Sequence, residues 1–218
     1  MRKLLILLLL SYILLQNASA QKSFEIVPSF GYMITPTINY QRCTGHIDPV
    51  FCFSSSFIYH PNPTWNCEII YSRSKPTSYL YDPDDDRVAA YTNSRIDMER
   101  LLAGINYFFS IKEIRPYIGV LFGFTYTQTT ETPLTSSYTG FSMAPEAGID
   151  YFFSSLIGIR LNAMLLLTPN VPNNSSYFNV DKIGQGFPGF AVGDPSNANI
   201  TQWNFSLGII IRFMKKKK

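Results

Sequence analysis

The sequence predicts an all-β fold, an eight-stranded antiparallel up-and-down barrel that crosses a membrane. Of 218 residues, 46% are apolar and 15% aromatic but only 15% charged, whereas soluble domains carry about 25% charged residues. Apolar and polar residues alternate along several segments of about ten residues or more, which is the period of a strand with two different faces. The connections between these segments alternate between short and long, as they do in outer-membrane barrels.

The segment 203–213 shows the alternation that a membrane-crossing strand requires. One face carries only large apolar side chains and begins and ends on an aromatic residue. A face of this length can cross a bilayer as a tilted strand, and a polar opposite face is typical of a strand between lipid and a lumen. The apolar face consists of Trp203, Phe205, Leu207, Ile209, Ile211 and Phe213, and the opposite face includes Asn204, Ser206, Gly208 and Arg212.

Seven further segments repeat this pattern, which gives an even number of strands. Connections after the second, fourth and sixth strands are short, and the others are long and polar, at about 35–49, 76–96, 129–138 and 169–198. Short and long connections need not alternate in a soluble β-sandwich, so this alternation favours a barrel. Pro28 and Pro145 lack an amide donor, which predicts local bulges. The eight strands are predicted at about 23–34, 50–60, 64–75, 97–110, 115–128, 139–153, 156–168 and 199–213.

The N-terminus predicts a cleaved secretory signal peptide. Basic residues at positions 2 and 3 precede an apolar run over 4–15, and a small-residue cleavage site ends at Ala20. We therefore expect a signal peptide over 1–20, a barrel over 21–213 and a basic tail over 214–218. After residue 20, no run of about 18 apolar residues predicts a transmembrane helix. Without the signal peptide, 16 of the 18 basic residues remain against 15 acidic ones, and no basic patch indicates nucleic-acid binding.

The inward faces of the predicted strands combine charges of both signs with glycine. An eight-stranded barrel has an interior that its own side chains fill, and an unpaired buried charge costs several kcal/mol. We therefore predict that carboxylates and guanidinium groups pair inside the barrel and plug its lumen. The alternative, a β-sandwich with a dry core, would have to bury these charges or expose an aromatic face to water. The predicted lumen network comprises Glu25, Glu68, Arg100, Glu146, Asp150, Arg160 and Arg212.

Two stretches resemble the small outer-membrane barrels of the OmpA/OmpX-like superfamily, in particular the outer-membrane β-barrel families of Bacteroidetes-type bacteria. The segment 115–123, with the sequence RPYIGVLFG, is similar to an RPYxGxGxG strand in those families. The closing strand, with Gly208, Ile211 and Phe213, resembles the C-terminal signal that the barrel-assembly machinery reads. The resemblance covers about 23–213 and implies the fold more than the function. It departs in one respect, because Met214 and four lysines follow the final aromatic residue.

The three cysteines are candidates for disulfide chemistry. Export to an oxidising compartment favours bridges between cysteines, and Cys43 and Cys52 flank the end of the first long connection, where they could form a local disulfide. Cys67 falls on the outward face of the third strand, where it is expected as a small lipid-facing residue rather than a reactive thiol.

Histidines and acidic loops give little indication of catalysis or metal binding. His46 lies in the first long connection and His60 in a tight turn, so we expect them at opposite ends of the barrel. Neither histidine sits in the middle of a predicted strand, and the chain contains no His-x-Ser pair, which disfavours an outer-membrane Ser–His acyl hydrolase. The segment 82–86 alternates carboxylates but lacks the glycine and the acidic twelfth position of a calcium loop. We therefore expect no catalytic residues, no cofactor and no metal ion.

The predicted fold leads to three functional hypotheses. The first is a non-enzymatic barrel in a bacterial outer membrane, with both termini in the periplasm and a structural or surface-interaction role for its long extracellular loops. The second is a narrow porin or an accessory barrel of a secretion or transport complex, and the third is a lipid-modifying enzyme. The expected partners are outer-membrane lipid, the barrel-assembly machinery during biogenesis, and an unidentified extracellular or periplasmic protein.

Overall fold

The structure is a computed structural model that describes residues 23–39, 44–81, 94–110, 112–129, 137–172 and 197–214. Several sequence predictions fall outside these residues, namely the signal peptide over 1–20, the acidic segment 82–86 and all but the first residue of the tail over 214–218. Cys43, the predicted disulfide partner of Cys52, also lies outside the described residues.

Within the described ranges the chain forms eleven strands, eight of them long and three short. The long strands coincide with the eight predicted segments to within a few residues at each end. The strands are β1 (Ser23–Ile34), β2 (Ile38–Asn39), β3 (Thr44–Ile47), β4 (Val50–His60), β5 (Trp65–Ser74), β6 (Thr77–Tyr81), β7 (Ser94–Phe108), β8 (Ile114–Thr129), β9 (Ser137–Phe152), β10 (Ile157–Pro172) and β11 (Asn197–Met214).

The eight long strands form one closed antiparallel barrel. Neighbours around the wall follow the order β7, β5, β4, β1, β11, β10, β9 and β8, and pairing of β8 with β7 closes the ring. β1 and β11 pair from Ser23 opposite Met214 to Ile34 opposite Trp203. Closure leaves no unpaired edge in the wall, and the predicted eight-stranded barrel is confirmed.

The two ends of the barrel differ in their connections. Ser23, Met214 and His60 lie together at one end, which also holds the short connections from β4 to β5, β7 to β8 and β9 to β10. We call this the turn end and the opposite one the loop end. At the loop end, β2, β3 and β6 form a small sheet with the start of β7.

The loop end departs from the sequence prediction. Strands β2, β3 and β6 occupy segments that were predicted as loops, and β7 and β10 extend further than predicted. Ile96 and Val171 explain these extensions, because both are fully buried in an apolar cluster there. The bulges predicted at Pro28 and Pro145 are wrong, since the pairing register is the same on both sides of each proline. A register shift occurs instead after Thr168.

The outward face of the barrel is an apolar belt. Most of its large apolar and aromatic side chains are between 37% and 63% exposed, and they alternate with buried residues along each strand. The segment from Trp203 to Phe213 spans roughly 25 Å along the barrel axis, at about 3.3 Å per residue and a strand tilt of about 40°. This is the height of the lipid-facing band of outer-membrane barrels. Among the described residues, no helix has the length and hydropathy to cross a membrane.

The core of the protein lies inside the barrel, in three apolar layers with polar groups between them. The turn-end layer contains Val27, Ile58, Phe152 and Ile210. The middle layer contains Ile70, Leu102, Leu121, Ala144, Met164 and Leu166. The loop-end layer contains Met33, Ile38, Ile47, Ile96, Met98, Val171 and Ile200, with Val50 and Tyr138 packed against it.

Candidate functional site

The turn half of the lumen, between its end and the middle apolar layer, contains a network of buried charges. Each member stands on the strand face opposite the apolar belt, so the period of the strand directs it inward. All are buried except Arg212, whose side chain is 16% exposed. We call this set the lumen network, and it contains Glu25, His60, Glu68, Arg115, Glu146, Asp150, Arg160 and Arg212.

Arg160 joins two opposite walls of the barrel. It lies opposite Asp150 in the β9–β10 register and donates to both carboxylate oxygens, Nε to Oδ1 at 2.7 Å and a terminal nitrogen to Oδ2 at 3.0 Å. Its other terminal nitrogen donates to Glu68 Oε2 at 3.1 Å. Because β5 and β10 lie four strands apart in the ring, this side chain spans the lumen.

Glu25 is the second centre of the lumen network. Arg212, its register partner on β11, donates from Nε to Oε1 at 2.8 Å. His60 Nε2 lies 3.1 Å from Oε2, and a terminal nitrogen of Arg115 lies 3.6 Å from Oε1. The same nitrogen of Arg115 donates to Asp150 Oδ2 at 3.1 Å, so Arg115 connects the two centres.

Aromatic rings also hold the guanidinium groups in place. Arg115 lies 4.5 Å from the ring centre of Phe108 and 4.7 Å from that of Phe152. The Arg212 guanidinium lies 3.7 Å from the Phe152 ring centre. Cation–π contacts of this kind are stronger when water is excluded, so rings and carboxylates together fix these side chains.

Arg100 lies apart from the other predicted members of the network. Its terminal nitrogens donate to Gln202 Oε1 at 2.9 Å and to Ser74 Oγ at 3.3 Å, and the thioether sulfurs of Met33 and Met98 lie 3.1 and 3.2 Å away. The middle apolar layer lies between Arg100 and the predicted carboxylates of the turn half.

Two members of the lumen network were missed by the sequence prediction. His60 was placed in a tight turn, but it ends β4 and is 4% exposed. Arg115 was considered only as part of the segment that resembles RPYxGxGxG. It lies two residues before the inward-facing Tyr117 and therefore on the same face of the strand. Both residues lie at the ends of predicted strands, and applying the alternation up to those ends would have placed both side chains in the lumen.

The proposed assembly-signal residues lie on β11. Gly208 faces inward, where an added Cβ would meet Ser29 and Val27, while Ile211 and Phe213 face outward at 41% and 52% exposure. Their role in assembly stays a prediction.

Cys52 and Cys67 are free cysteines on opposite faces of the wall. The buried Cys52 thiol donates to Asn204 Oδ1 at 3.2 Å. The Cys43–Cys52 disulfide stays a prediction, because Cys43 lies outside the described residues. Cys67 is exposed on the outward face of β5, as the alternation predicts.

Aromatic residues form a girdle at each end of the apolar belt. Near the turn end, Trp65 and Tyr107 stack edge-on at 4.9 Å between ring centres. Near the loop end, Tyr32 and Phe51 do so at 5.2 Å. Two girdles that flank an apolar band are typical of a barrel in a bilayer, where amphipathic rings lie at headgroup level.

A cluster of exposed charges lies on the outer wall beyond the loop-end girdle. Arg73 Nε donates to Asp97 Oδ1 at 2.9 Å and lies 3.6 Å from Glu99, and Lys75 Nζ lies 3.4 Å from Asp97 Oδ2. The hydrogen bond from Arg73 holds the pKa of Asp97 below its usual range. These four residues, which we call the loop-end charge cluster, mark the level at which the wall changes from apolar to polar.

The contacts of these side chains hold the interior of the barrel together, and the two histidines lie far from each other. His60 faces the lumen against Glu25, and His46 lies at the other end, 3.7 Å from Asp48. Among the described residues, no group of three or more His, Cys, Asp or Glu side chains could hold a metal ion. Neither histidine lies on the lipid-facing wall, where a lipid-modifying Ser–His pair would be needed.

Comparisons with solved structures give the fold. Neisserial surface protein A superposes with a TM-score of 0.57 at 12% identity over 87% of this chain and 97% of that one. Ail of Yersinia pestis, in complex with the heparin analogue sucrose octasulfate, gives 0.50 at 11% identity over 89% and 99%. The N-terminal β-barrel domain of Pseudomonas aeruginosa OprF gives 0.48 at 15% identity over 89% and 100%. The fold is that of the small outer-membrane β-barrels.

This likeness concerns the architecture alone, because identity is low throughout. No protein-family model matches the chain, and no curated protein matches it. The resemblance to small outer-membrane barrels seen in the sequence is therefore confirmed as a resemblance of fold.

Proposed function

We propose that this protein is a non-enzymatic, non-conducting barrel of a bacterial outer membrane with a structural or surface-interaction role. The observation that carries this proposal is the contrast between its two faces. The outside is an apolar belt between two aromatic girdles, and the inside is filled by ion pairs and apolar layers. Such a barrel is a rigid body held in lipid, and its loop end is available for contacts with a partner.

The apolar belt supports a location in lipid. A soluble protein rarely exposes an apolar patch larger than a few hundred Å², whereas this belt runs around all eight strands. Outer-membrane lipid is therefore the first partner in the proposal, and the barrel-assembly machinery is the second, through the closing strand β11.

The filled lumen supports a closed barrel. Arg160 crosses the turn half to Glu68 on the opposite wall, the middle layer is apolar, and Ile47 and Ile200 are fully buried at the loop end. An ion entering this interior would have to displace paired charges and then pass two apolar layers, which carries a large desolvation cost.

The orientation in the proposal places the turn end and both termini in the periplasm. Outer-membrane barrels have short periplasmic turns and longer extracellular connections, and here the small sheet of β2, β3, β6 and β7 lies at the loop end. The loop end is the surface that we assign to contacts with an extracellular partner.

Conductance of the full mature chain in planar bilayers tests closure. We expect no steady current above that of a protein-free bilayer, and insertion is verified on the same sample by protease resistance of the strands. Steady single-channel currents would overturn the closed barrel and favour the narrow porin instead.

Surface labelling of cells tests the orientation. Two exposed serines at opposite ends provide a matched pair, Ser137 at the start of β9 and Ser155 in the turn after it. Each is changed to cysteine in a chain whose three native cysteines are serine. A membrane-impermeant maleimide should label Ser137→Cys on intact cells and Ser155→Cys only after the outer membrane is opened, and the reverse pattern contradicts the orientation.

A further inference from the structure

Glu146 stands out among the buried carboxylates because, within the described residues, no arginine, lysine or histidine nitrogen lies within 4.0 Å of its carboxylate oxygens. Glu25, Glu68 and Asp150 each lie within 3.1 Å of an arginine or histidine nitrogen. Glu146 is 5% exposed on β9, and its Oε2 accepts a hydrogen bond from the neutral amide Asn162 Nδ2 at 2.9 Å. A carboxylate that is buried without a cation is strongly destabilising.

The charge balance of the lumen network points to the same residue. Its described members include four carboxylates and three guanidinium groups. Asp150 takes two hydrogen bonds from Arg160 and one from Arg115, and Arg212 is held by Glu25. His60 lies against Glu25, with 3.1 Å between Nε2 and Oε2. The uncompensated carboxylate is therefore Glu146.

Hydrogen bonding around Glu146 leaves acceptors without donors. Asn106 uses its Nδ2 on Glu68 Oε2 at 2.6 Å, and Asn162 uses its Nδ2 on Glu146 itself. Within the described residues, four side-chain oxygens of this region are buried without a partner, namely Asn66 Oδ1, Asn106 Oδ1, Asn162 Oδ1 and Glu146 Oε1. The Tyr117 hydroxyl and Asn66 Nδ2 are donors that also lack a partner, which leaves fewer unpartnered donors than acceptors in this set. A hydrogen on Glu146 Oε1 would supply the donor that this group still lacks.

We propose that Glu146 binds a proton in the folded barrel and donates a hydrogen bond from Oε1 to the side-chain oxygen of Asn106 or Asn162. The bound form is then a neutral carboxylic acid, which can be buried at far lower cost than a carboxylate. The groups that face it are Glu68 on β5, Tyr117 on β8, Asp150 on the same strand and Arg160 on β10.

A metal ion is the competing occupant, and the surroundings disfavour it. The Arg160 guanidinium lies over the Tyr117 ring at 4.7 Å and bonds Glu68, and among the described residues no group of three or more His, Cys, Asp or Glu side chains could hold a metal ion. A proton on Glu146 forms a covalent O–H bond and needs no ligand shell, whereas a hard cation needs about six oxygen ligands.

A matched pair of amide variants tests the proposal through stability. Glu146→Gln and Asp150→Asn make the same chemical change on the same face of β9, four residues apart. For Glu146→Gln at pH 7 we expect a folding equilibrium constant within about threefold of wild type, because a neutral group replaces a neutral group. For Asp150→Asn we expect a loss of about 100-fold or more, because two guanidinium groups lose their carboxylate. Equal losses in both variants would overturn the proposal.

Infrared spectroscopy of the refolded mature barrel tests the same point without relying on stability. A carboxylic-acid C=O band at neutral pH should occur in wild type and in Asp150→Asn, and it should be missing from Glu146→Gln. Absence of the band from wild type would refute the bound proton. The folding equilibrium constant is finally measured with sodium, potassium, magnesium or calcium chloride. A salt that stabilises wild type but not Glu146→Gln would assign the site to that cation instead.

Discussion

The turn half and the loop half of the lumen are filled by different chemistry. In the turn half, Arg160 and Arg115 reach across the barrel to carboxylates on other walls, so each charge depends on several partners. In the loop half, apolar side chains such as Ile96 and Ile200 pack against each other. Arg100 there donates to Gln202 Oε1 and lies 3.1 Å from the Met33 sulfur.

This difference shows two ways to fill the same narrow space. A charge network fixes the geometry of its members, but loss of one partner leaves another charge buried and unpaired. An apolar layer loses only the contacts and the volume of the group that is removed. The two halves should therefore respond differently to substitution.

Replacement of Arg160 by methionine should have the largest effect. It leaves Asp150 and Glu68 without the guanidinium that joins them, and we expect a loss of about 3–5 kcal/mol in the free energy of unfolding. Urea unfolding of the vesicle-inserted barrel, followed by the fluorescence of Trp65 and Trp203, measures this. Arg73→Met on the outer wall is the control. A loss below that of the control would show that the network does not hold the turn half together.

Leu102→Ala in the middle apolar layer should rank second. Leu102 is 2% exposed, and we expect a loss of about 2–4 kcal/mol because a buried cavity remains. Its neighbour Leu101 faces outward at 57% exposure, so Leu101→Ala in the same urea experiment is the matched control and should cost clearly less. Equal losses would contradict the assignment of inward and outward faces.

Gly119→Ala should have an intermediate effect that depends on Asn106. An added Cβ at position 119 would collide with Asn106 Oδ1, and overpacking of this kind costs about 1–3 kcal/mol. If the amide is the cause, the cost should fall when Asn106 is already alanine. A double-mutant cycle in urea measures this coupling, and additive effects would exclude Asn106 as the cause.

Asp97→Asn in the loop-end charge cluster should have the smallest effect, about 0–1 kcal/mol, because exposed ion pairs contribute little. Arg73 lowers the pKa of Asp97 in the folded state. The pair therefore adds stability above the unfolded pKa of about 4, and this contribution is lost as the pH falls through the folded pKa. Wild type and variant should converge in stability below pH 4, and a gap that widens in acid would contradict the pairing.

Much of the architecture could be predicted from local pattern. The period-2 alternation gave the strands, their inner and outer faces and the inward position of residues such as Glu68 and Asp150, because side-chain direction in a strand depends only on parity. It was less successful at strand ends. His60 and the strand β6 were assigned to turns or loops, since short or terminal segments carry too few residues to display a period.

The partners inside the lumen could not be predicted in this way. Arg160 and Glu68 are 92 residues apart in the chain, and they meet only because closure sets β5 and β10 on opposite walls. The sequence also gives no reason why Arg100 lies beyond the middle apolar layer from Glu68, or why no cation of the described residues lies at ion-pair distance from Glu146. Both follow from the height at which each strand places its inward residues.

The amino-acid sequence by itself determined the barrel, its apolar belt and which charges enter the lumen, because alternation and connection lengths are local properties of the chain. The tertiary structure alone decided which charges pair, where the apolar layers divide the interior and which carboxylate is left without a cation. The physical reason is that the register between neighbouring strands sets the distances across the lumen. These distances are fixed only when all eight strands close into one barrel.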